Sequence, residues 1–410
     1  MPDECVILAE GPGALVELCG ISTLERLLRT LQRCGITRAT ILSTTPAEIA
    51  QRLGQPSWAC ADLEFTIHER PPGSTTVQQI VDLWPETAER VLVIQGDVVF
   101  DIRLVRALLA KTSSATLIDS APDKFCGAAL LQREWAAARN GSIESALIEG
   151  LKQHTVEALD VANQPLYHSG LRRNLKAFWF PAPAVTDKRT AERILLDSVQ
   201  KGTLDFPAWI HAPIEKFLLK YLCRTSVTPN QLTISWAFAA FLTTFFFAAG
   251  HLIWGIVLAL IVGILDGLDG KQARIKVETT AGGKIEHHLD SFFDVVWPTA
   301  LAYHFYASGQ LPTAFYYLAV LLIAEGVDGI AKAIIYSAYA RLMTAPGLFD
   351  RTVRLIGGRR NIYIWVLVVA VLLGAPAKAL IVMAWWEAIT AAIDIPHAIR
   401  AAYLRRKTPH

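Results

Sequence analysis

The chain has 410 residues, of which 52% are hydrophobic and only 19% are charged. That balance is too apolar for an ordinary soluble protein, and the apolar excess lies in the second half. The formal net charge of +2 says little about partners, and nucleic acid is not expected among them. The six cysteines lack metal-ligand spacing and predict buried thiols in a reducing compartment. No signal peptide is expected, because the first residues include neither a basic segment nor a long apolar run.

The first half of the sequence alternates short β-branched runs with amphipathic stretches. Strands are predicted at 6–8, 39–42, 63–67, 91–94 and 115–118. Helices are predicted between them at 23–34, 75–83 and 102–109. This alternation indicates an α/β domain over residues 1–205 with a mostly parallel sheet.

From residue 230 onward the sequence is typical of a membrane protein. Residues 230–265 contain no charged residue, and a bilayer core takes roughly 20 apolar residues per helix. Further uncharged stretches lie at 295–324, 361–374 and 379–386. We therefore predict an all-α membrane domain over 228–410. Its six helices are expected near 230–249, 252–274, 285–307, 312–336, 361–374 and 377–400.

The charges between these helices predict the orientation of the chain. Basic residues cluster at 271–284, 341–360 and 400–407, whereas the opposite connections carry only Lys378. Basic loops stay in the cytoplasm, so the α/β domain and the C-terminus are expected on that side of an inner or cytoplasmic membrane. Residues 206–227 form a linker, in which 212–223 predict an amphipathic helix along the membrane surface.

Four aspartates stand inside the predicted membrane helices. Asp266 and Asp269 share a face near the end of the second helix, and Asp290 and Asp294 share a face at the start of the third. Charged residues in such helices are costly and usually functional. Four neighbouring carboxylates repel one another unless a hard cation lies among them. The sequence therefore predicts an Mg²⁺ or Mn²⁺ site with coordination positions left for phosphate oxygens.

Small residues accompany these acids. Gly267, Gly270 and Ala273 form a stripe at three-residue spacing, which would let a base or a diphosphate approach the helix backbone. Arg274 follows the stripe and supplies a cation for a phosphate.

The run D-x-x-D-G-x-x-A-R at 266–274, followed by Asp290 and Asp294, resembles the signature of the CDP-alcohol phosphatidyltransferase family. Residues 228–230 (T-P-N) are similar to that family's start of the first membrane helix. The resemblance covers the whole membrane half.

This resemblance implies a role for each matching residue. Metal binding falls to Asp266, Asp269 and Asp290, while Asp294 both contacts metal and acts as general base. The resemblance also implies a nucleotide pocket lined by Gly270, Ala273 and Arg274, with Thr228 and Asn230 nearby. The metal neutralises charge on the departing CMP, and a carboxylate removes the proton of the attacking hydroxyl.

The spacing of the second acid pair departs from the family pattern. That pattern places the third acid at His287 and a glycine at Gly283, whereas Glu286 precedes the pair here. We interpret this as an insertion of about one helical turn, so that Asp290 and Asp294 are the second pair. The roles of Gly283, His287 and His288 stay open.

Other charged residues have more than one interpretation. Asp328 and Lys332 are four residues apart and are expected to neutralise each other, while the roles of Glu325, Glu387 and Asp394 stay open. The basic loop at 351–360 is either a topology signal and lipid anchor or a binding segment. In the second case Arg359 and Arg360 form a guanidinium pair for the phosphate of an acceptor.

The first half resembles nucleotidyltransferases of the sugar-nucleotide kind, with a Rossmann-like fold. Residues 6–13 are similar to their strand and Gly-rich phosphate loop, and Asp97 follows a strand as their metal-binding aspartate does. The arginine and the Pro-Lys pair of active members are missing after the loop, which favours a degenerate domain. The fusion is similar to bifunctional inositol-phosphate cytidylyltransferase and di-myo-inositol-phosphate phosphate synthases.

The sequence thus predicts an Mg²⁺- or Mn²⁺-dependent enzyme of phospholipid or inositol-phosphate metabolism that transfers a phospho-alcohol from a CDP-alcohol. The acceptor is a phosphorylated polar alcohol or a lipid alcohol, and the enzyme works in the lipid bilayer. One alternative is a fully bifunctional enzyme with an active cytidylyltransferase half. Another is a membrane protein that binds or transports a cation. The oligomeric state is open, with a homodimer among the alternatives.

Overall fold

The structure is a computed structural model that describes residues 4–9, 11–54, 63–70, 73, 75–84, 88–120, 125–184, 186–202, 205–278, 282–342 and 347–407. Side chains are described for these residues except 282–288, 339–342, 350 and 405–407. An α/β half, the soluble half (residues 4–222), comes first, and a helical half, the membrane half (residues 229–407), follows it.

The α/β half contains thirteen strands and eight α-helices among its described residues. The strands are β1 (Glu4–Ala9), β2 (Glu17–Leu18), β3 (Ile21–Ser22), β4 (Arg38–Ser43), β5 (Glu64–Glu69), β6 (Arg90–Gln95), β7 (Val98–Phe100), β8 (Ala115–Ile118), β9 (Phe125–Gln132), β10 (Glu157–Asp160), β11 (Tyr167–His168), β12 (Arg173–Asn174) and β13 (Trp179–Pro181). The helices are α1 (Thr23–Arg33), α2 (Pro46–Leu53), α3 (Val77–Asp82), α4 (Ile102–Leu109), α5 (Arg133–Ala137), α6 (Ile143–Lys152), α7 (Lys188–Ser198) and α8 (Ala208–Leu222).

Seven strands form one sheet in the order β10-β8-β9-β6-β1-β4-β5. Only β9 runs antiparallel to its neighbours β6 and β8 in this sheet, as far as the structure describes it. Strand β1 is buried along its whole length because both faces are covered: Ile7 packs into one core and Val6 and Leu8 into the other. The predicted α/β class, the mostly parallel sheet and the five predicted strands are confirmed.

The helical half contains seven helices among its described residues. They are α9 (Pro229–Ala248), α10 (Leu252–Ile275), α11 (Gly282–Ala307), α12 (Ala314–Leu342), α13 (Leu348–Ile356), α14 (Arg360–Leu372) and α15 (Ala377–Lys407). Six of these lie where membrane helices are predicted, and α13 is an additional short helix in the basic loop.

Three helices in the described part of the chain are long and apolar enough to cross a membrane, namely those at Pro229–Ala248, Leu252–Ile275 and Ala377–Leu404. Helix α14 is apolar but has only 13 residues, so its length is about 20 Å at 1.5 Å per residue. The helical half is therefore a membrane domain, and the count of six crossings stays a prediction.

The two halves meet at the end of α10. Arg26 on α1 donates to the Ile275 carbonyl oxygen at 2.6 Å, and Arg29 donates to that of Lys276 at 3.0 Å. These carbonyls have no partner within the helix, because the last turn of any helix leaves its acceptors free. The soluble half thus caps the helix that carries Asp266 and Asp269, and positively charged groups there complement the helix dipole.

Helix α8 packs along α10 beside the same residues. A Cβ at Gly263 would lie 2.9 Å from the His211 ring, and one at Gly267 would lie 2.6 Å from the Glu215 carboxylate. Small residues therefore allow close approach of the two helices. Residues on α8 that face away from α10 are exposed, including Phe217 and Tyr221. This exposed apolar face agrees with the predicted position along the membrane surface.

Candidate active site

Three of the four predicted acids converge on one side chain, Arg360 at the start of α14. Its Nη1 donates to Asp290 Oδ1 at 2.6 Å and to Asp294 Oδ1 at 2.8 Å. Its Nη2 lies 3.3 Å from Asp266 Oδ2. Because Asp266 is on α10 and the other two acids are on α11, this cluster joins three helices.

The cluster is open on one side and apolar on the other. The side chains of Asp266, Asp290 and Asp294 are 31%, 34% and 32% exposed. Behind them the guanidinium of Arg360 lies 5.3 Å from the Phe293 ring centroid and 6.0 Å from that of Trp236. The aromatic faces stabilise the cation and exclude water from the back of the cluster.

Asp269 has a different environment from the other three. It is 2% exposed, and its Oδ2 accepts a hydrogen bond from the Thr233 hydroxyl at 2.8 Å. Its Oδ1 accepts from the Gly270 backbone N–H at 2.5 Å. These donors hold the Asp269 carboxylate in place at the junction of α9 and α10.

The small-residue stripe has two different surroundings. Glu215 fills the space beside Gly267, where its carboxylate pairs with the ammonium of Lys271. Gly270 faces Arg274 instead, and a Cβ there would lie 3.3 Å from Arg274 Nη1. Close packing of α8 therefore explains why residue 267 is a glycine. A substrate could approach the backbone of α10 at the other end of the stripe, near Gly270.

The remaining predicted nucleotide-site residues lie toward the soluble half. Arg274 Nε donates to the Val199 carbonyl oxygen at 3.1 Å, so this side chain points to the seam between the two halves. Thr228 is the N-cap of α9 and forms a capping box with Gln231, and both Thr228 and Asn230 are exposed. The capping geometry gives Thr228 a structural reason for its position.

The predicted guanidinium pair is separated in the structure, which corrects the expectation that Arg359 and Arg360 hold one phosphate together. Arg360 lies among the acids, whereas Arg359 lines a cavity near Arg354 and Tyr336. Helix α14 begins at Arg360, and Arg359 has extended backbone as the N-cap. The change of backbone conformation between the two residues sends their side chains in different directions.

A second set of acids lies deeper, between α12, α14 and α15. The predicted ion pair of Asp328 with Lys332 is confirmed, and Asp328 is 3% exposed. Glu387 accepts a hydrogen bond from the Tyr363 hydroxyl. Glu387 also lies where a side chain at Gly358 would clash with it. These buried contacts tie the start of α14 to α15.

The register expected for the second acid pair agrees with these contacts. Asp290 and Asp294 are one turn apart on α11 and both contact Arg360. The side chains of Glu286, His287 and His288 lie outside the described residues, so the roles of the two histidines stay open.

The Gly-rich loop of the soluble half lies directly against Asp97. Residues Pro12–Leu15 form a 3-10 turn, and a Cβ at Gly13 would lie 2.9 Å from the Cβ of Asp97. The Ala182 backbone N–H donates to the Asp97 carbonyl oxygen at 2.6 Å. The loop thus packs directly on Asp97.

No group of three or more His, Cys, Asp or Glu side chains in the described part of the chain has the spacing of a preformed metal site. The donor chemistry nevertheless fits a hard cation: three partly exposed carboxylates surround one positive charge. A small divalent ion prefers oxygen ligands of this type.

Two contributors to the site were not predicted. Thr233 contacts Asp269 and lies about one turn after the T-P-N run. Its position relative to that run could have identified it as a residue of the site. Glu215 belongs to the helix that the sequence predicts along the membrane surface, yet it is 6% exposed and pairs with Lys271 of the D-G-K run at 269–271. An acid within an apolar amphipathic helix is a signal for such a buried partner.

Comparison with known proteins agrees with this geometry. Residues 226–393 match the model of the CDP-alcohol phosphatidyltransferase family. A protein from Rubrobacter xylanophilus named bifunctional IPC transferase and DIPP synthase is 30% identical over 207 residues, which are 50% of this chain and 44% of that protein. An uncharacterised protein from Aquifex aeolicus is 30% identical over 146 residues, which are 35% of this chain and 70% of that protein.

Among solved structures, the inositol-1-phosphate CTP transferase from T. maritima aligns with a TM-score of 0.34 and 12% identity. The alignment covers 47% of this chain and 96% of that one. The chain spans less than half the length of the Rubrobacter relative. The matched residues 226–393 contain all four aspartates and Arg360, so the predicted resemblance of this half to the CDP-alcohol phosphatidyltransferase family is confirmed.

Proposed function

We propose that the chain transfers a phospho-alcohol from a CDP-alcohol to an acceptor hydroxyl and releases CMP. The convergence of Asp266, Asp290 and Asp294 on one cation is the observation that carries this proposal. Each of these carboxylates is about one third exposed, so a polar substrate can reach them from the open side. Acids that only stabilise a helix bundle are instead closed off, as Asp328 is.

A divalent cation, Mg²⁺ or Mn²⁺, fits the donor set of this site. Asp266, Asp269 and Asp290 would hold it, with Asp294 beside them. When bound, the cation neutralises charge on the diphosphate and on the departing CMP. Arg360 already lies among these carboxylates, which shows that the carboxylates attract positive charge. This attraction supports the proposed binding of a metal cation.

Asp294 is the residue that we assign as general base. It lies at the open side of the cluster, where an acceptor hydroxyl can approach. Its carboxylate takes the proton of that hydroxyl while the oxygen bonds to phosphorus and the bond from phosphorus to CMP breaks. Arg360 donates to Asp294 and so fixes the carboxylate for this transfer.

The donor nucleotide is placed at the Gly270 end of α10. Gly270 and Ala273 leave the backbone accessible, and Arg274 supplies a positive charge beside them. Thr228 and Asn230 are exposed at the start of α9 and form the other wall of this proposed pocket.

We assign a phosphorylated polar alcohol as the acceptor, with a lipid alcohol as the alternative. Support comes from Arg359, which lines a cavity rich in arginine and directly precedes Arg360 of the acid cluster. The basic loops also support an orientation with the soluble half and the C-terminus on the cytoplasmic side of the membrane, where such phosphorylated substrates are dissolved.

The proposal is tested with purified full-length protein in lipid nanodiscs. CMP release is measured against a panel of CDP-alcohols and acceptors, with Mg²⁺, with Mn²⁺ and with EDTA. We expect metal-dependent CMP release with at least one pair and none with EDTA. Cation binding without CMP release from any pair would instead favour the rival function, a membrane protein that binds or transports a cation.

A further inference from the structure

A cavity of about 510 Å³ lies at the seam between the soluble half and the membrane half. Its volume is that of a small-molecule site. Seven basic residues line it and Asp394 is its single acidic lining residue in the described part of the chain. Three of the basic residues, Arg172, Arg173 and Lys201, come from the soluble half. The others are on α12, α13 and at the start of α14.

The soluble half reaches this cavity through a short hairpin. Strands β11 and β12 pair through Tyr167 with Asn174 and His168 with Arg173, so Arg172 lies at the tip. Arg172 has a φ of 55°, a conformation that a non-glycine residue adopts at a cost. The Gly202 N–H donates to the Leu171 carbonyl oxygen at 2.8 Å and holds the tip in place.

Tyr336 of α12 is the point at which the two halves meet in the cavity. The guanidinium of Arg172 lies 4.2 Å from its ring centroid, and that of Arg354 lies 4.9 Å from it. Arg359 Nη2 lies 3.5 Å from the Tyr336 hydroxyl. Three arginines from three separate segments therefore surround one aromatic ring, which stabilises cations but does not neutralise them.

The charge of Arg354 is poorly compensated by the protein. It is 9% exposed, and its Nε and Nη2 have no hydrogen-bond partner among the described residues. Burial lowers the pKa of Arg354 to about 10, with Arg359 and Arg172 acting in the same direction and Tyr336 and Asp205 opposing them. Arg354 stays protonated at neutral pH, so its unpaired donors are available to an anion.

We propose that the soluble half completes the acceptor site, with a phosphomonoester held in this cavity by Arg172 together with Arg354 and Arg359. Planar guanidinium groups on different sides suit the several oxygens of a phosphate. Arg359 directly precedes Arg360, so the cavity and the acid cluster lie on either side of the start of α14. An acceptor anchored by its phosphate here can present its hydroxyl toward Asp294.

This inference rests on the proposed phosphotransfer and adds a role for the soluble half. The hairpin would decide which acceptors bind, whether or not that half has an activity of its own. The same phosphate chemistry is offered by a soluble phosphorylated alcohol and by an anionic lipid headgroup. We assign the soluble ester, because the hairpin side of the cavity comes from the α/β domain.

The test measures binding of inorganic phosphate by isothermal titration calorimetry, with the full-length protein in phosphatidylcholine nanodiscs. Arg172→Gln and Arg354→Gln should each weaken phosphate binding by about 10-fold or more, because each loses charge-assisted donors. Arg193→Gln, which removes an exposed arginine of α7, serves as the matched control and should bind phosphate as the parent protein does. Melting midpoints identify any variant that is simply unfolded.

Each outcome decides between the alternatives. Unchanged phosphate binding in Arg172→Gln, with weaker binding in Arg359→Gln, would overturn the role of the soluble half. Displacement of phosphate by nanodiscs that contain an anionic lipid would overturn the soluble ester in favour of a headgroup. Phosphate binding that depends on Arg172, in a protein that releases no CMP from any CDP-alcohol, would support this site while contradicting the proposed phosphotransfer.

When CMP release is present, a kinetic measurement adds a second readout. Arg172→Gln should raise the acceptor KM about 10-fold and leave the CDP-alcohol KM within about 2-fold, because the residues proposed for the nucleotide at the Gly270 end of α10 do not line this cavity. Arg172→Lys should recover part of the loss, since it keeps the charge but not the planar donor pair. An equal rise in both KM values would contradict a role confined to the acceptor.

Discussion

At the scale of single residues, Asp294 has the most specific proposed role, that of general base. Asp294→Asn removes the base but preserves size and one hydrogen-bond acceptor for Arg360. We expect CMP release to fall by a factor on the order of 10² or more, since general base catalysis contributes that much. The measurement is steady-state CMP release at saturating acceptor and CDP-alcohol.

Tyr303→Phe provides the control for this variant, because Tyr303 is exposed on the same helix. It should keep parental turnover. Binding of the CDP-alcohol, measured by calorimetry, should be similar in Asp294→Asn and the parent. Near-normal CMP release from Asp294→Asn would show that another group takes the proton.

The register of the second acid pair is also decided by single residues. Asp290 contacts Arg360 beside Asp294, which favours Asp290 over His287 as the third metal ligand. Asp290→Ala should therefore raise the Mg²⁺ or Mn²⁺ concentration needed for half-maximal CMP release about 10-fold or more, since a ligand is lost. His287→Ala should leave it unchanged. The opposite result would restore the usual family spacing and remove the proposed insertion.

At the scale of elements, the sequence predicts most of the architecture. Helix α4 is recognisable because its buried residues recur at helical spacing, and strand β6 because it is a short continuous buried run rich in β-branched residues. The long charge-free runs identify the membrane helices for a similar reason. The spacing of Asp290 and Asp294 places both on one face, and the structure brings that face to Asp266.

Contacts between elements could not be predicted from the sequence. The separation of Arg359 from Arg360 depends on the residue at which α14 begins, and nothing in two adjacent arginines reveals that boundary. The pairing of Glu215 with Lys271 joins residues 56 positions apart. Such contacts follow from packing of α8 on α10 and not from local periodicity.

Docking of α8 against the rest of the soluble half gives a prediction with a matched control. Gly20 has a φ of +83°, and a Cβ there would lie 2.0 Å from the Cys223 carbonyl oxygen at the end of α8. Gly35 has a φ of +90° but has nothing within 4 Å of such a Cβ. Alanine at either position therefore has similar backbone strain, and only Gly20→Ala adds a clash with backbone.

We expect Gly20→Ala to destabilise the protein by about 1–3 kcal/mol more than Gly35→Ala, the cost of forcing atoms into a packed site. The two melting midpoints in the same nanodiscs measure the difference. Limited proteolysis should also cut the connection between α7 and α8, at 199–207, faster in Gly20→Ala. Equal melting midpoints and equal cutting would mean that the turn at Gly20 shifts away from α8 without cost.

At the scale of the whole molecule, the soluble half is bound to the membrane half by buried polar contacts. Arg26 is 5% exposed and donates both to the Ile275 carbonyl oxygen and, at 3.0 Å, to that of Leu18. Arg29 is 6% exposed and pairs with Glu25. Buried charged donors of this kind are costly to leave unpaired, so the two halves stabilise each other.

These contacts bear on whether the soluble half has an activity of its own. Arg26 and Arg29 of α1 donate to carbonyls at the end of α10, and the Gly-rich loop packs on Asp97. The cations that follow this loop in active nucleotidyltransferases are missing from the sequence. We therefore predict that the full-length protein releases no pyrophosphate from CTP with any phosphorylated alcohol that it accepts as an acceptor.

The measurement is pyrophosphate release by the full-length protein in nanodiscs, beside CMP release from a CDP-alcohol in the same sample. CMP release shows that the protein is folded, so missing pyrophosphate cannot be attributed to an inactive preparation. Asp97→Asn is the informative variant if pyrophosphate is released. A signal lost in Asp97→Asn would establish a bifunctional enzyme, in which the loop at 11–15 opens to admit the triphosphate. A silent soluble half would instead leave its hairpin at Arg172 as the part of that domain that acts in catalysis, by holding the acceptor.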